Sequence, residues 1–126
     1  MKKTILAVDD DPLQLKLIDA IASKAGYKVI TAKNGRDGVK EAKKNKPDLI
    51  LLDIMMPEMD GYTALEVIRQ ADEIKKTPVI MVTAVGFDMN QRMALDMGAD
   101  DYVTKPFAVK DLLSRMEKLL AAKGKK

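Results

Sequence analysis

Five short apolar segments, each followed by a stretch with helical spacing, constrain the fold of this chain more than any other feature. The segments are Thr4–Val8, Lys28–Ala32, residues 48–52, residues 78–83 and Asp101–Thr104. Their length and their content of Val, Ile and Thr predict β-strands. The first, third and fourth are apolar without alternation, which is typical of parallel strands that are covered on both faces.

The stretches that follow the strands carry the spacing of α-helices. In the first, apolar residues recur every four positions and end at a stop signal; they are Leu13, Leu17, Ile21 and Ala25, before Gly26. The last helix is indicated by Val109, Leu112 or Leu113, Met116, and Leu119 or Leu120. Weaker patterns predict helices near residues 36–45, 62–71 and 88–97.

Five βα units in succession predict an α/β fold with a parallel sheet and helices on both faces, because right-handed crossovers leave few alternatives. A length of 126 residues suits one domain. We expect residues 1–122 to form this domain and residues 123–126 to be a basic, flexible tail. Open sheets of this kind bind their ligands beyond the carboxyl ends of the strands.

The composition excludes several classes of function. The chain has no Cys and no His, which excludes disulfides, thiolate or imidazole metal sites and a phosphohistidine carrier. The net charge of +3 is accounted for by Lys123, Lys125 and Lys126, so it gives little support for nucleic-acid binding. The first apolar segment is too short for a signal peptide, and we expect a cytoplasmic protein with no nucleic-acid or membrane partner.

Polar residues follow four of the predicted strands at one edge of the sheet. They are Asp9, Asp10, Asp11, Asp53, Thr83 and Lys105. Two carboxylates about 4 Å apart repel each other by about 4 kcal/mol at an effective dielectric constant of about 20, so the cluster requires a cation. Lys105 supplies one positive charge, and a hard ion, Mg²⁺, suits the remaining oxygen ligands.

An Asp beside Mg²⁺, a lysine and a hydroxyl can act as a nucleophile that accepts a phosphoryl group. Asp53 is the better candidate, because it is alone at the end of a central strand and leaves Asp9 and Asp10 to bind the metal. Asp11 precedes Pro12, a typical helix start, and is expected to cap the first helix instead.

These residues occur in blocks that resemble the receiver domain of two-component response regulators, over residues 4–120. The blocks are residues 5–11, 52–61, 82–84 and 98–107. The resemblance implies a flavodoxin-like, doubly wound sheet of five strands in the order 2-1-3-4-5, with five helices. It also implies that Asp53 is the phosphoacceptor and a metal ligand. Asp10 is then a direct Mg²⁺ ligand with Asp9 assisting, and the backbone carbonyl of Met55 is a further ligand.

The resemblance assigns roles to the other site residues as well. Lys105 is implied to pair with the phosphoryl group, with a cis peptide bond before Pro106. Thr83 is implied to hydrogen-bond a phosphoryl oxygen and to move towards it, which lets Tyr102 turn inward. The output face is then formed by the fourth helix, the fifth strand and the fifth helix.

The implied function is signalling. We predict a stand-alone response regulator, a monomer or weak phosphorylation-dependent dimer, that catalyses only its own phosphorylation and dephosphorylation. A histidine kinase or a phosphotransfer protein is the donor, and an unidentified protein is the target. Met55 and Val85 are apolar where a polar group would orient a hydrolytic water, which predicts slow loss of the phosphoryl group.

Two other classes fit part of the sequence. A Mg²⁺-dependent phosphatase of the haloacid dehalogenase type also uses an Asp at a strand end, and Asp9 and Asp11 match its Asp-x-Asp pair, but Leu13 stands where that motif has Thr or Val. A flavodoxin-like electron carrier needs a Ser/Thr/Gly-rich phosphate loop after the first strand, where this chain has three aspartates.

Overall fold

The computed structural model describes residues 2–84 and 89–124, which form one sheet with helices on both sides. The strands are β1 (Thr4–Val8), β2 (Lys28–Ala32), β3 (Leu49–Leu52), β4 (Val79–Thr83) and β5 (Asp101–Thr104). The helices are α1 (Pro12–Lys24), α2 (Gly35–Asn45), α3 (Gly61–Gln70), α4 (Met89–Asp96) and α5 (Val109–Gly124). The predicted alternation of strands and helices is confirmed.

All neighbouring strands are parallel, in the order β2-β1-β3-β4-β5. The strand order that the resemblance implied is therefore confirmed. In the ladders, Val8 pairs with Leu52 and Thr83 pairs with Thr104. Adjacent strands thus end nearly level, which brings the residues that follow them together at the carboxyl edge of the sheet.

The surroundings of the central strand β3 explain why its sequence does not alternate between apolar and polar residues. Ile50 and Leu52 belong to the apolar core between the sheet and α2, α3 and α4. Leu49 and Leu51 belong to the core on the opposite face, beneath α1 and α5. Because both faces of the strand are buried, every position is apolar.

Helix α1 buries a different stripe from the one that reveals it in the sequence. Leu15, Ile18 and Ala22 are buried against the sheet, whereas Leu13 and Leu17 are exposed. The helix is apolar around more than one face, so residues at steps of four mark a helix without marking its core side. An exposed apolar strip on α1 results.

Side chains cap the starts of three helices. The carboxylate of Asp11 accepts a hydrogen bond from the Leu13 N–H at 3.0 Å at the start of α1, which confirms the predicted cap. Asn34 caps α2 and Asp60 caps α3 by accepting from backbone N–H groups in the same way. These caps fix where the chain turns from each loop into its helix.

At the other end of the chain, α5 extends to Gly124 and includes Lys123, the first residue of the predicted tail. Residues 125–126 lie outside the described part, so the flexible tail stays a prediction. None of the helices in the described part combines the length and the apolar character needed to cross a bilayer.

The orientation of α1 predicts unequal effects for two leucines. Leu15→Ala is expected to lower the free energy of unfolding by about 2–5 kcal/mol, because it leaves a cavity in the core, whereas Leu13→Ala should change it by less than about 0.5 kcal/mol. The wild-type side chains are 7% and 73% exposed. Urea denaturation of both variants measures the difference, and equal losses would contradict the orientation.

Candidate functional site

Adjacent strands place Asp9 and Asp53 at the same point on the carboxyl edge. The Asp53 N–H continues the β1–β3 ladder by donating to the carbonyl oxygen of Val8 at 3.0 Å, so the two aspartates follow paired strands. Asp9 is 2% exposed and Asp53 is 5% exposed. Two carboxylates are thus held close together with little exposure to solvent.

A third carboxylate completes an acidic cluster. One carboxylate oxygen from each of Asp9, Asp10 and Asp53 lies within 4.8 Å of the others, and Asp10 is exposed. Asp11 contributes only its backbone N–H, which donates to Asp9 Oδ1 at 3.0 Å. Oxygen ligands at this separation, one of them open to solvent, fit Mg²⁺, which binds one or two carboxylates and keeps several waters.

The cation in contact with the two buried carboxylates is Lys105, from the loop after β5. Its Nζ donates to Asp9 Oδ2 at 2.6 Å and to Asp53 Oδ2 at 3.1 Å. The lysine side chain is itself mostly buried. The peptide bond from Lys105 to Pro106 is cis, as the resemblance implied. The structure therefore brings together Asp9, Asp10, Asp53 and Lys105.

Burial and charge act on these groups in opposite directions. Burial raises the pKa of Asp9 above its ordinary value, and the charge of Asp53 adds to this, while hydrogen bonds from Lys105 and the Asp11 backbone lower it. Burial lowers the pKa of Lys105, but the hydrogen bonds and charges of Asp9 and Asp53 outweigh burial, so that pKa is raised. The ammonium group is therefore charged at neutral pH.

Thr83 and Tyr102 lie on neighbouring strands beside the cluster. Thr83 ends β4 and is fully buried, and its carbonyl oxygen accepts from the Lys105 N–H at 2.8 Å. Tyr102 on β5 is buried in the apolar core between the sheet and α2, α3 and α4. Tyr62 of α3 is partly buried and packs against the same core. Burial raises the pKa of Tyr102, and the charges of Tyr62 and Asp53 raise it further.

Gly61 is a site residue that the sequence patterns did not single out. A Cβ on Gly61 would overlap the carbonyl oxygen of Asp53, and the Gly61 N–H donates to the carbonyl oxygen of Ile54 at 2.8 Å. The start of α3 therefore packs directly on the backbone that carries Asp53. A glycine at the start of a helix does not by itself indicate such a contact with a distant backbone carbonyl.

The loop after Asp53 forms the open side of the site. The Met55 N–H donates to Asp53 Oδ1 at 3.3 Å, and the Met55 side chain is exposed. A shallow cavity of about 410 Å³ lies here, lined in part by Asp10, Met55 and Tyr62. Val85, the other residue in the prediction of slow dephosphorylation, lies outside the described residues.

Lys105 and a bound cation would compete for the same carboxylates, which gives a testable consequence. Lys105→Met is expected to tighten Mg²⁺ binding by about tenfold or more, because it removes a unit positive charge within hydrogen-bond distance of two ligands. Isothermal titration calorimetry measures the dissociation constant. Lys110→Met, which removes an exposed lysine of α5, is the matched control, and weaker binding by Lys105→Met would contradict the role of Lys105 as the competing cation.

Comparisons with known proteins agree with this geometry. A family model described as the response regulator receiver domain matches residues 5–117. The transcriptional regulatory protein PhoP for alkaline phosphatase synthesis in Bacillus subtilis is 40% identical over 120 residues, which are 95% of this chain and 49% of PhoP. The chain thus spans about half the length of the curated relatives it matches.

Solved structures give the same answer. The BeF3-activated N-terminal receiver domain of Klebsiella pneumoniae RstA is 36% identical with a TM-score of 0.86, over 93% of this chain and 97% of that one. The receiver domain of a sensor histidine kinase from Pseudomonas aeruginosa, with magnesium coordinated in its active site cleft, is 30% identical with a TM-score of 0.88, over 96% of this chain and 99% of that one. On its fold, its acidic cluster and these matches, the chain belongs to the response regulator receiver domains of two-component signalling.

Proposed function

We propose that Asp53 accepts a phosphoryl group from the phosphohistidine of a histidine kinase or phosphotransfer protein, and that this modification changes which protein the domain binds. The position of Asp53 supports this proposal most strongly. It is a buried carboxylate at the tip of a central strand, next to two further carboxylates and 3.1 Å from the Lys105 ammonium. A nucleophile, a metal site and a fixed cation therefore meet at one point.

In the proposed transfer, a carboxylate oxygen of Asp53 attacks the phosphorus of the donor. A P–O bond forms, the P–N bond to the imidazole breaks, and the imidazole leaves as its neutral form after taking a proton from solvent water. Lys105 is placed to neutralise charge on the transferred group, and we assign the Thr83 hydroxyl as a further donor to it. Mg²⁺ held by Asp9, Asp10, Asp53 and the Met55 carbonyl would supply positive charge beside the phosphoryl oxygens.

The switched state is proposed to act through α4, β5 and α5. Thr83 is followed in the chain by the segment that leads into α4. Tyr102 lies on β5, which ends beside the site at Thr104, so both elements of this face adjoin the site. To change a population from 1:99 to 99:1, phosphorylation must favour one state by about 5.5 kcal/mol. Charge-assisted hydrogen bonds to the new phosphoryl group can supply a large share of this.

The exposed strip of α1 is proposed to be the contact surface for the donor. Leu13 and Leu17 are exposed. Leu13 is only two residues after Asp11, whose backbone N–H donates a hydrogen bond to Asp9 of the acidic cluster. The strip continues to Ile21 and Val109, which line a shared cavity of about 520 Å³ between α1 and α5. An exposed apolar strip that starts beside a reactive group suits an amphipathic helix of a partner protein.

The phosphatase alternative is less well supported by the geometry. Its nucleophile would be Asp9, and its second carboxylate would be Asp11, which caps α1. The carboxylate of Asp11 is therefore engaged outside the cluster.

The stand-alone organisation, the absence of nucleic-acid and membrane partners, the cytoplasmic location and the monomeric or weakly dimeric state stay predictions from the sequence.

The phosphoacceptor can be tested with a small donor. Incubation with acetyl phosphate and Mg²⁺ is expected to add the mass of one phosphoryl group to the wild type and none to Asp53→Asn, since the amide is a poor nucleophile. Intact mass spectrometry and peptide mapping measure this. Asp72→Asn, at an exposed carboxylate, is the matched control, and stable labelling of Asp53→Asn would refute the assignment.

The α1 surface can be tested by comparing two kinds of donor. Leu17→Gln is expected to slow transfer from a histidine kinase, drawn from a purified panel that phosphorylates the wild type, by about tenfold, because it removes an apolar contact. The rate with acetyl phosphate should not change, since the site is intact. Equal rates with the kinase would exclude α1 as the contact surface, and Leu95→Gln, at an exposed leucine of α4, is the control.

A further inference from the structure

The guanidinium group of Arg69, in the last turn of α3, forms as many hydrogen bonds as it has N–H donors. Nε and Nη2 donate to the carbonyl oxygen of Gly98 at 2.9 and 2.7 Å. Nη2 also donates to Asp100 Oδ2 at 3.0 Å. Nη1 donates to the carbonyl oxygens of Lys75 and Thr77 at 3.0 and 2.7 Å. One side chain thus joins three segments of the chain.

These segments lie at the amino edge of the sheet, opposite the acidic cluster. Asp100 fixes the start of β4, because its carboxylate accepts from the Val79 N–H at 2.9 Å and its own N–H donates to the Val79 carbonyl oxygen at 2.8 Å. Arg69 therefore connects α3, to which it belongs, with the loop before β4 and with the turn between α4 and β5. We refer to Arg69, Gly98 and Asp100 as the Arg69 clamp.

The Arg69 clamp holds the carboxyl-terminal end of α4. The helix ends with hydrogen bonds from the Gly98 N–H to the Leu95 carbonyl and from the Ala99 N–H to the Ala94 carbonyl, at 3.0 and 2.9 Å. Gly98 has φ +111°, and a Cβ at this position would lie 3.0 Å from Arg69 Nε. The backbone conformation therefore favours glycine here, and a larger residue would also press on the Arg69 side chain.

The body of α4 is held much less firmly than its end. Among the side chains that the structure describes between positions 91 and 97, only Ala94 is fully buried, while Met93 and Leu95 are exposed. A helix with so little buried apolar surface is a segment of low local stability. Its amino-terminal end follows Thr83 and Ala84 in the chain, on the side of the phosphoacceptor.

We propose that the Arg69 clamp is the pivot of the switch: phosphorylation displaces the amino-terminal end of α4, and the helix turns about its clamped carboxyl-terminal end. This inference rests on the proposed function of Asp53. Arg69 is then a positioning residue that acts through Gly98 and does not touch the reacting groups. A helix fixed at one end rotates, whereas the same helix without the clamp slides or frays, so the clamp determines the geometry that a partner meets.

Hydrogen exchange of Arg69→Lys tests the pivot. Lysine keeps the charge but has three donors on one nitrogen and cannot reproduce the five bonds. In the variant without ligand, exchange of the amides at residues 97–99 is expected to be faster by about tenfold. In the wild type, beryllofluoride with Mg²⁺ should change exchange at residues 89–93 and leave residues 97–99 unchanged. In Arg69→Lys the change should spread to residues 97–99, with an unaltered rate of labelling by acetyl phosphate.

Arg115→Lys is the matched control, because Arg115 pairs with Asp101 of β5 and Asp111 of α5. Gly98→Ala is the second variant and is expected to reproduce Arg69→Lys. Unchanged exchange at residues 97–99 in Arg69→Lys, or a uniform response along α4 in the wild type, would overturn the pivot. No response of the wild type to beryllofluoride would instead overturn the proposed function, and the comparison without ligand would still decide whether the clamp exists.

Discussion

A single buried ammonium group makes the arrangement of this site possible. Lys105 is hydrogen-bonded to both Asp9 and Asp53, which would otherwise be two buried and uncompensated negative charges. Unpaired buried charges cost several kcal/mol each, and such groups protonate or the structure opens to water. Because Lys105 follows the edge strand β5 while the two aspartates follow β1 and β3, the same contacts also fasten the end of β5 to the centre of the sheet.

Much of this could be predicted from the sequence, because the signals are local or repeated. The doubly buried strand β3 is visible as an unbroken apolar run, and Asp11-Pro12 marks the start of α1. Residues that follow parallel strands meet at one edge, so Asp9, Asp53 and Lys105 could be placed together before any coordinates. The core side of α1 was not predictable in this way, since Leu13 and Leu15 are equally apolar and only the packing against the sheet distinguishes them.

Other residues were not predictable because their partners are backbone atoms outside the regular spacing of helices and strands. Position 61 has to be glycine because a Cβ there would overlap the carbonyl oxygen of Asp53. Every residue has a backbone carbonyl, so the sequence does not indicate this contact. Arg69 reads as an ordinary charged residue at the end of a helix, yet four of its five hydrogen bonds go to main-chain oxygens of residues 75, 77 and 98. Such contacts depend on the conformation of loops, which periodicity does not encode.

In the proposed switch, the weak packing of α4 allows a chemical group of modest energy to control the position of the helix. A few charge-assisted hydrogen bonds to a phosphoryl group are worth about 1.5–3 kcal/mol each, and a fully buried leucine is worth about the same. Several buried leucines along α4 would therefore hold it against any such signal. Ala94 is buried but small, so its burial stabilises the position of the helix body by less than the hydrogen bonds of the proposed switch can supply. The contacts that α4 lacks along its length are supplied by Arg69 at its carboxyl-terminal end, the end that stays fixed in the proposed switch.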